Sequence, residues 1–275
     1  MPAILRLVHP FPSALNAALV LGIALLAGGT FERAVQLALA MLGLQFCIGS
    51  VNDLFDEALD AQSKSYKPIP AGRVTRRTAS IVAGVTGGGG LLLAALVDPP
   101  DLLPLLMAAV MLSAGLVYDV WLKPTAFGWV CFAVAFPILP IYAWYGAVGG
   151  LPPRWEVLLP VAALAGPALQ LANGLIDLDT DQRAGLRTLA IRLGRRNALA
   201  LMAVALLVIH VLAWVTVTVG APDAVGLLAG VAGALALGGL VASANSETIV
   251  REIGWSAQSA SIATLALSWL LGARP

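Results

Sequence analysis

Nine apolar runs, each close to the length needed to cross a bilayer, follow one another at approximately 14–31, 34–52, 78–97, 102–118, 125–147, 155–176, 197–219, 224–243 and 254–272. A helical span needs roughly 17 to 25 such residues. The expected fold is therefore an all-α polytopic membrane protein with about nine transmembrane helices. Composition agrees, since 11% of the residues are charged and 59% hydrophobic, against about 25% charged in soluble domains. Such a chain cannot cover a water-facing surface.

Within the runs stand Pro104, Pro137, Pro140, Pro160 and Pro167, and the third contains Gly87 to Gly90. Neighbouring helices can satisfy the backbone groups these residues free, and small residues let helices approach, so they are read as packing positions. Arg6 ahead of an apolar run ending in small residues would also fit a signal peptide. Against that, the N-terminal segment is short and contains Pro, and losing the first span would spoil the topology. Cys47 and Cys131 have no partner at a metal-ligand spacing and read as small core hydrophobes. A net charge of +1, with no basic aromatic-rich face, gives no sign of a nucleic-acid partner.

Charge sets the expected orientation. Segments 1–13, 53–77, 119–124, 177–196 and 244–253 carry 13 of the 16 Lys and Arg residues, leaving Arg33, Arg154 and Arg274 for the alternate segments. With nine spans these sets fall on opposite sides, and the basic side is cytoplasmic. This predicts an integral protein of the cell inner membrane, with its N-terminus in the cytoplasm and its C-terminus outside.

On that cytoplasmic side a pattern occurs twice, as NDLFDEALD from Asn52 to Asp60 and NGLIDLDTD from Asn173 to Asp181. Residues four apart share a helix face, which would align Asn52, Asp56 and Asp60, and likewise Asn173, Asp177 and Asp181. A carboxylate at mid-bilayer costs roughly 2.5 to 3.5 kcal/mol on the lenient insertion scale, a cost that a bound cation offsets. Hard oxygen donors suit Mg²⁺, which binds through one or two carboxylates plus phosphate oxygens. His9 is N-terminal and His210 mid-span, both away from the motifs in sequence, which speaks against zinc. His210 reads as an interhelical hydrogen-bonding residue. Capping and loop solvation would explain one acidic stretch; two with matching Asn, Leu and Asp positions ask for more.

Basic residues follow each stretch: Lys64, Lys67 and Arg73 after the first, Arg183, Arg187 and Arg192 after the second. A third loop, YDVWLKP, supplies Tyr118 and Lys123. Carboxylate-held Mg²⁺ together with Lys and Arg can clamp a phosphate and stabilise charge on it as it leaves. Arg76, Arg77, Arg195 and Arg196 read as helix flanks at the headgroups. A polyanionic site beside an apolar bundle suggests a substrate with a diphosphate head and a hydrocarbon tail. A cation-coupled transporter also buries carboxylates, often in inverted repeats, whereas these motifs end the second and sixth runs, which point the same way. A non-catalytic scaffold has no use for matched carboxylate faces.

NDLFDEALD followed by KPIPAGR, then YDVWLK, then NGLIDLDTDQRAGLRTLAIRLG, resembles the UbiA superfamily of intramembrane prenyltransferases. The resemblance implies a single domain over 1–275, a bundle around a central cavity capped by short cytoplasmic helices. It implies that Asp53, Asp56, Asp60, Asp177 and Asp181 hold Mg²⁺ against a polyprenyl diphosphate donor, with Asn52, Lys64, Arg73, Asn173 and Arg183 binding substrate. Lys67, Lys123 and Arg187 would neutralise the leaving diphosphate, and Tyr118 would orient it or steady the allylic cation. Apolar walls would hold the tail and exclude water. The expected acceptor is lipophilic, first of all an aromatic quinone precursor, with a chlorophyll-type alcohol or a glycerol-phosphate lipid as alternatives. Two positions depart from the family pattern. Lys67 stands where many members carry Arg, keeping the charge but losing the guanidinium fork, and Gly174 replaces an acidic residue.

Overall fold

The computed structural model describes residues 2–217 and 223–272. Among them all regular structure is helical: α1 (Ala3–Leu7), α2 (Pro10–Leu26), α3 (Phe31–Ser63), α4 (Arg76–Ala95), α5 (Leu103–Val117), α6 (Trp129–Val148), α7 (Trp155–Ile176), α8 (Leu178–Arg183), α9 (Leu189–Val217), α10 (Asp223–Ser243) and α11 (Thr248–Gly272). Thr30 and Thr75 start α3 and α4 by accepting the backbone N–H three residues on, which satisfies one of the donors a helix start leaves open.

Every predicted run has its helix, but among the described residues seven helices are both long and apolar enough to cross a membrane. The first run forms α2, of 17 residues. The last forms α11, which carries Arg251, Glu252 and several Ser residues along its 25 positions. Count nine is thus approximate. Arg274 lies outside the described residues, as does the C-terminus itself.

Residues 2–122 with 138–151 form one compact unit, and residues 123–137 with the described residues from 152 onward form another. In the first, α3 packs along α2 and α4. Close approach depends on glycine: a Cβ on Gly90 would meet the Ala40 carbonyl oxygen at 2.8 Å, and one on Gly87 the Cys47 Sγ at 2.8 Å. A Cβ added to Gly88 or Gly89 would meet nothing from another helix within 4 Å among the described residues, so only part of the glycine cluster serves close packing.

In the second unit α7 packs on α9 and α10 on α11. The last pair is joined by side chains bonding across it, from Ser261 Oγ to the Ala232 carbonyl (2.6 Å) and from Ser268 Oγ to that of Val225 (2.9 Å). His210 Nε2 lies 3.2 Å from Ser261 Oγ, the interhelical role expected of it. Such bonds contribute about 0.6 kcal/mol each in a membrane. Pro160 and Pro167 lie inside α7, and α9 is kinked at Gly194, where φ is 72°. Cys47 and Cys131 are both buried, as small core residues should be.

Candidate functional site

The first acidic stretch is helical throughout, because α3 runs past the apolar segment to Ser63. Asp53 and Asp60, seven positions or two turns apart, are 1% and 4% exposed. One ammonium serves both: Lys67 Nζ lies 2.9 Å from Asp53 Oδ1 and 2.7 Å from Asp60 Oδ2. Burial works against charge on Lys67, but the two carboxylates more than offset it and hold its pKa above the ordinary lysine value. Asp56, between them on the helix, is half-buried. Asn52 turns elsewhere, its Nδ2 donating to Asp119 Oδ1 at 2.9 Å.

Tyr118 and Asp119 are buried at the start of a π-helical turn, Tyr118–Leu122, that widens the end of α5. Such turns recur at functional sites. Lys64 is half-buried and caps α3, its backbone N–H bonding the Asp60 carbonyl at 2.7 Å. Arg73 is exposed and donates to the Tyr66 carbonyl, while Arg76, expected at the headgroups, pairs with Glu57.

Among the described residues no three His, Cys, Asp or Glu side chains are gathered as a metal cage. The donor set nevertheless suits Mg²⁺, which needs only one or two carboxylates alongside water and phosphate oxygens. Asp53 Oδ2 is buried without a hydrogen-bond partner among the described residues, a hard oxygen that no donor there satisfies. Lys67 meanwhile stands as an internal cation between Asp53 and Asp60. The residues fit a metal shared with a ligand.

The second stretch departs from expectation. A single helix face carrying Asn173, Asp177 and Asp181 is not what forms: α7 ends at Ile176, and Asp177 (φ −100°, ψ 12°) is the joint to α8. The physical reason lies in α11. Arg251, 3% exposed, directs Nη2 and Nε to the Ile176 carbonyl at 2.9 and 3.2 Å, and Nη2 is 3.7 Å from Asp179 Oδ2. It thereby satisfies the last carbonyl of α7 and neutralises the negative end of that helix. Asn173, Asp177 and Asp181 are all half-buried, and the Asp181 N–H donates to the Asp177 carbonyl at 2.8 Å.

Arg183 and Arg187 are exposed and Lys123 is half-buried. The Arg187 N–H donates to the Pro124 carbonyl at 3.0 Å, setting the Lys123 and Arg187 segments side by side. Arg195 donates to the Ala244 carbonyl at 3.1 Å, so it ties down a turn instead of flanking its helix freely. A Cβ on Gly174 would meet the Ala190 Cβ at 3.1 Å; this departure from the family pattern lets α7 lie close to α9.

Sequence reasoning missed three residues. His9 Nε2 lies 3.0 Å from Asp53 Oδ1, across 44 positions, so the expectation that neither His is near a motif is corrected. No sequence signal marks that contact. Asp119 sits inside the quoted YDVWLK and could have been found by the cost argument applied to the other carboxylates. Arg251 opposes the dipole of the helix it begins, a placement that asks for a partner elsewhere.

A sequence profile described as the UbiA prenyltransferase family matches residues 15–252. The chain is 35% identical to a digeranylgeranylglyceryl phosphate synthase of Methanoregula boonei, over 63% of this chain and 62% of that one. It therefore spans less than two thirds of that relative's length. With the synthase of the same name from Methanopyrus kandleri it shares 30% identity over 81% and 82% of the two chains. A 4-hydroxybenzoate octaprenyltransferase of Polynucleobacter asymbioticus matches at 25% over 55% and 53%. In fold the chain is similar to a solved UbiA homologue from Archaeoglobus fulgidus bound to DMAPP and Mg²⁺, with a TM-score of 0.72, 17% identity and coverage of 96% and 98%.

Proposed function

The chain belongs to the UbiA prenyltransferase family, and on that premise we propose that it transfers a prenyl group within the membrane from a polyprenyl diphosphate to a glycerol-phosphate lipid. The observation that carries the chemistry is the buried pair Asp53 and Asp60 closed by the Lys67 ammonium, with one hard oxygen of Asp53 left over. The acceptor reading is supported by relatives at 35% and 30% identity that are digeranylgeranylglyceryl phosphate synthases. An aromatic quinone precursor, the first expectation from sequence, has the weaker support of the 25% match.

In this reading Asp53, Asp56, Asp60, Asp177 and Asp181 hold Mg²⁺, within one prenyltransferase domain. Bound there, Mg²⁺ would withdraw negative charge from the diphosphate oxygens. Lys67 can turn from its carboxylates toward the diphosphate on its flexible stem, and Lys64, Arg73, Lys123, Arg183 and Arg187 add cationic charge around it. Asn52 and Asn173 contribute amide donors, and Tyr118 a phenol that orients the head group. The allylic C–O bond breaks with its electron pair leaving on diphosphate; the acceptor hydroxyl oxygen captures the cation, and its proton passes to the departing diphosphate. Apolar helices exclude the water that would quench the cation.

Product analysis tests this. Purified chain in detergent, given Mg²⁺ and a polyprenyl diphosphate, should form an ether lipid by mass spectrometry and release diphosphate with a prenylated glycerol phosphate, but not prenylate 4-hydroxybenzoate in its place. EDTA should stop the reaction and added Mg²⁺ restore it. Asp56→Asn and Asp177→Asn should each reduce turnover by orders of magnitude, and the double variant should be little worse, because groups acting as a unit are non-additive. Prenylation of 4-hydroxybenzoate alone would overturn the acceptor reading. No product in any combination, with cation flux in sealed vesicles, would assign the chain to transport.

A further inference from the structure

His9 belongs to a corner built against the first acidic stretch. It joins α1 to α2 with a left-handed backbone, φ 50°, a conformation that non-glycine residues keep only where their surroundings hold it. Those surroundings are specific. Leu7 and Val8 are 0% and 3% exposed, and the buried Ser13 Oγ donates to the Val8 carbonyl at 2.8 Å. Gly49, one helical turn before Asp53 on α3, gives the corner room: a Cβ there would meet the Val8 carbonyl carbon at 3.1 Å and the His9 Cβ at 3.3 Å.

The ring of His9 reaches Asp53 Oδ1 at 3.0 Å, the oxygen that Lys67 also takes at 2.9 Å. An ionised carboxylate only accepts, so the imidazole donates from Nε2. With both donors on Oδ1, the buried Oδ2 has no hydrogen-bond partner among the described residues. We propose that His9 is a positioning residue that fixes the rotation of the Asp53 carboxylate and so presents Oδ2 to Mg²⁺. This rests on the reading of Asp53 as a metal ligand. Lys67 cannot do the same work, because it is shared with Asp60 and its stem is flexible; once it turns to a diphosphate, His9 is what still holds Asp53. Carboxylates that bind metals are themselves held by hydrogen bonds, and losing such a partner typically weakens metal binding about 10- to 100-fold.

The test reads binding without turnover: Mn²⁺ titrated by electron paramagnetic resonance into the full chain in detergent, with inorganic diphosphate, and thermal melting measured alongside. His9→Ala should weaken Mn²⁺ binding about tenfold or more. His9→Gln, whose Nε2 donor reaches about as far as that of His, should restore binding close to wild type, whereas the shorter His9→Asn should behave as His9→Ala. Unchanged Mn²⁺ binding in His9→Ala would overturn the inference. So would equal losses in the Ala and Gln variants that follow their melting temperatures, which would make His9 a corner filler only. An Asp53→Asn control separates the two levels: if it leaves Mn²⁺ binding intact, the metal reading of Asp53 fails, and the role of His9 with it.

Discussion

Lys67 closes the first acidic stretch as a single cation between two carboxylates. Its ammonium sits within 2.9 and 2.7 Å of two carboxylates that are almost wholly buried, and removing one partner from a buried ion pair typically costs about 3 to 5 kcal/mol. Lys67→Gln should therefore melt well below wild type in EDTA. A cation that binds the folded state stabilises it by mass action, and in the variant it would also relieve the exposed repulsion between Asp53 and Asp60. Mg²⁺ should raise the melting temperature of Lys67→Gln by more than it raises that of wild type. Identical melting of the two proteins in EDTA would mean that Lys67 contributes nothing to the ligand-free fold.

At the scale of elements, the two acidic stretches are alike in sequence and different in structure. The first is carried by an uninterrupted α3; the second bends at Asp177, between α7 and α8. What separates them is a side chain from another helix, since Arg251 occupies the Ile176 carbonyl. Hydrogen bonds from a charged donor contribute roughly 1.5 to 3 kcal/mol. Arg251→Leu should lower the melting temperature and speed hydrogen exchange at the amides of 177–183, with α3 unaffected. Unchanged exchange in that segment would show that the joint is set by its own sequence.

Topology is a property of the whole molecule, and it rests on the distribution of basic residues. If the 64–75 and 184–188 connections are cytoplasmic, a membrane-impermeant maleimide added to intact cells should not label Ser65→Cys or Ala184→Cys. It should label Leu151→Cys, an exposed position between α6 and α7. The native Cys47 and Cys131 are buried and should stay silent. Labelling of Ser65→Cys from outside would overturn the cytoplasmic placement proposed for the first acidic stretch.

Sequence alone determined the helices, because a long apolar run in lipid has to satisfy its own backbone. The cost of carboxylates at the ends of such runs likewise led to the expectation of a cation, and at Asp53 and Asp60 the Lys67 ammonium is one. Helix interruption at Asp177 was not legible, since the group that takes up the Ile176 carbonyl is 75 positions away in the chain. Nor was the division of labour in the glycine cluster, where a Cβ on Gly87 or Gly90 would collide with α3 while one on Gly88 or Gly89 would have open space among the described residues; helix rotation is fixed by the neighbour, not by the run. His9 is the clearest case. A lone histidine in a short N-terminal segment carries no period and no motif, and only the packing of the α1–α2 corner against Gly49 brings its Nε2 to Asp53. Backbone satisfaction and charge cost act on each residue wherever it stands, so they can be read along the chain. Contacts between distant segments depend on which surfaces fit together, and only the tertiary structure decides that.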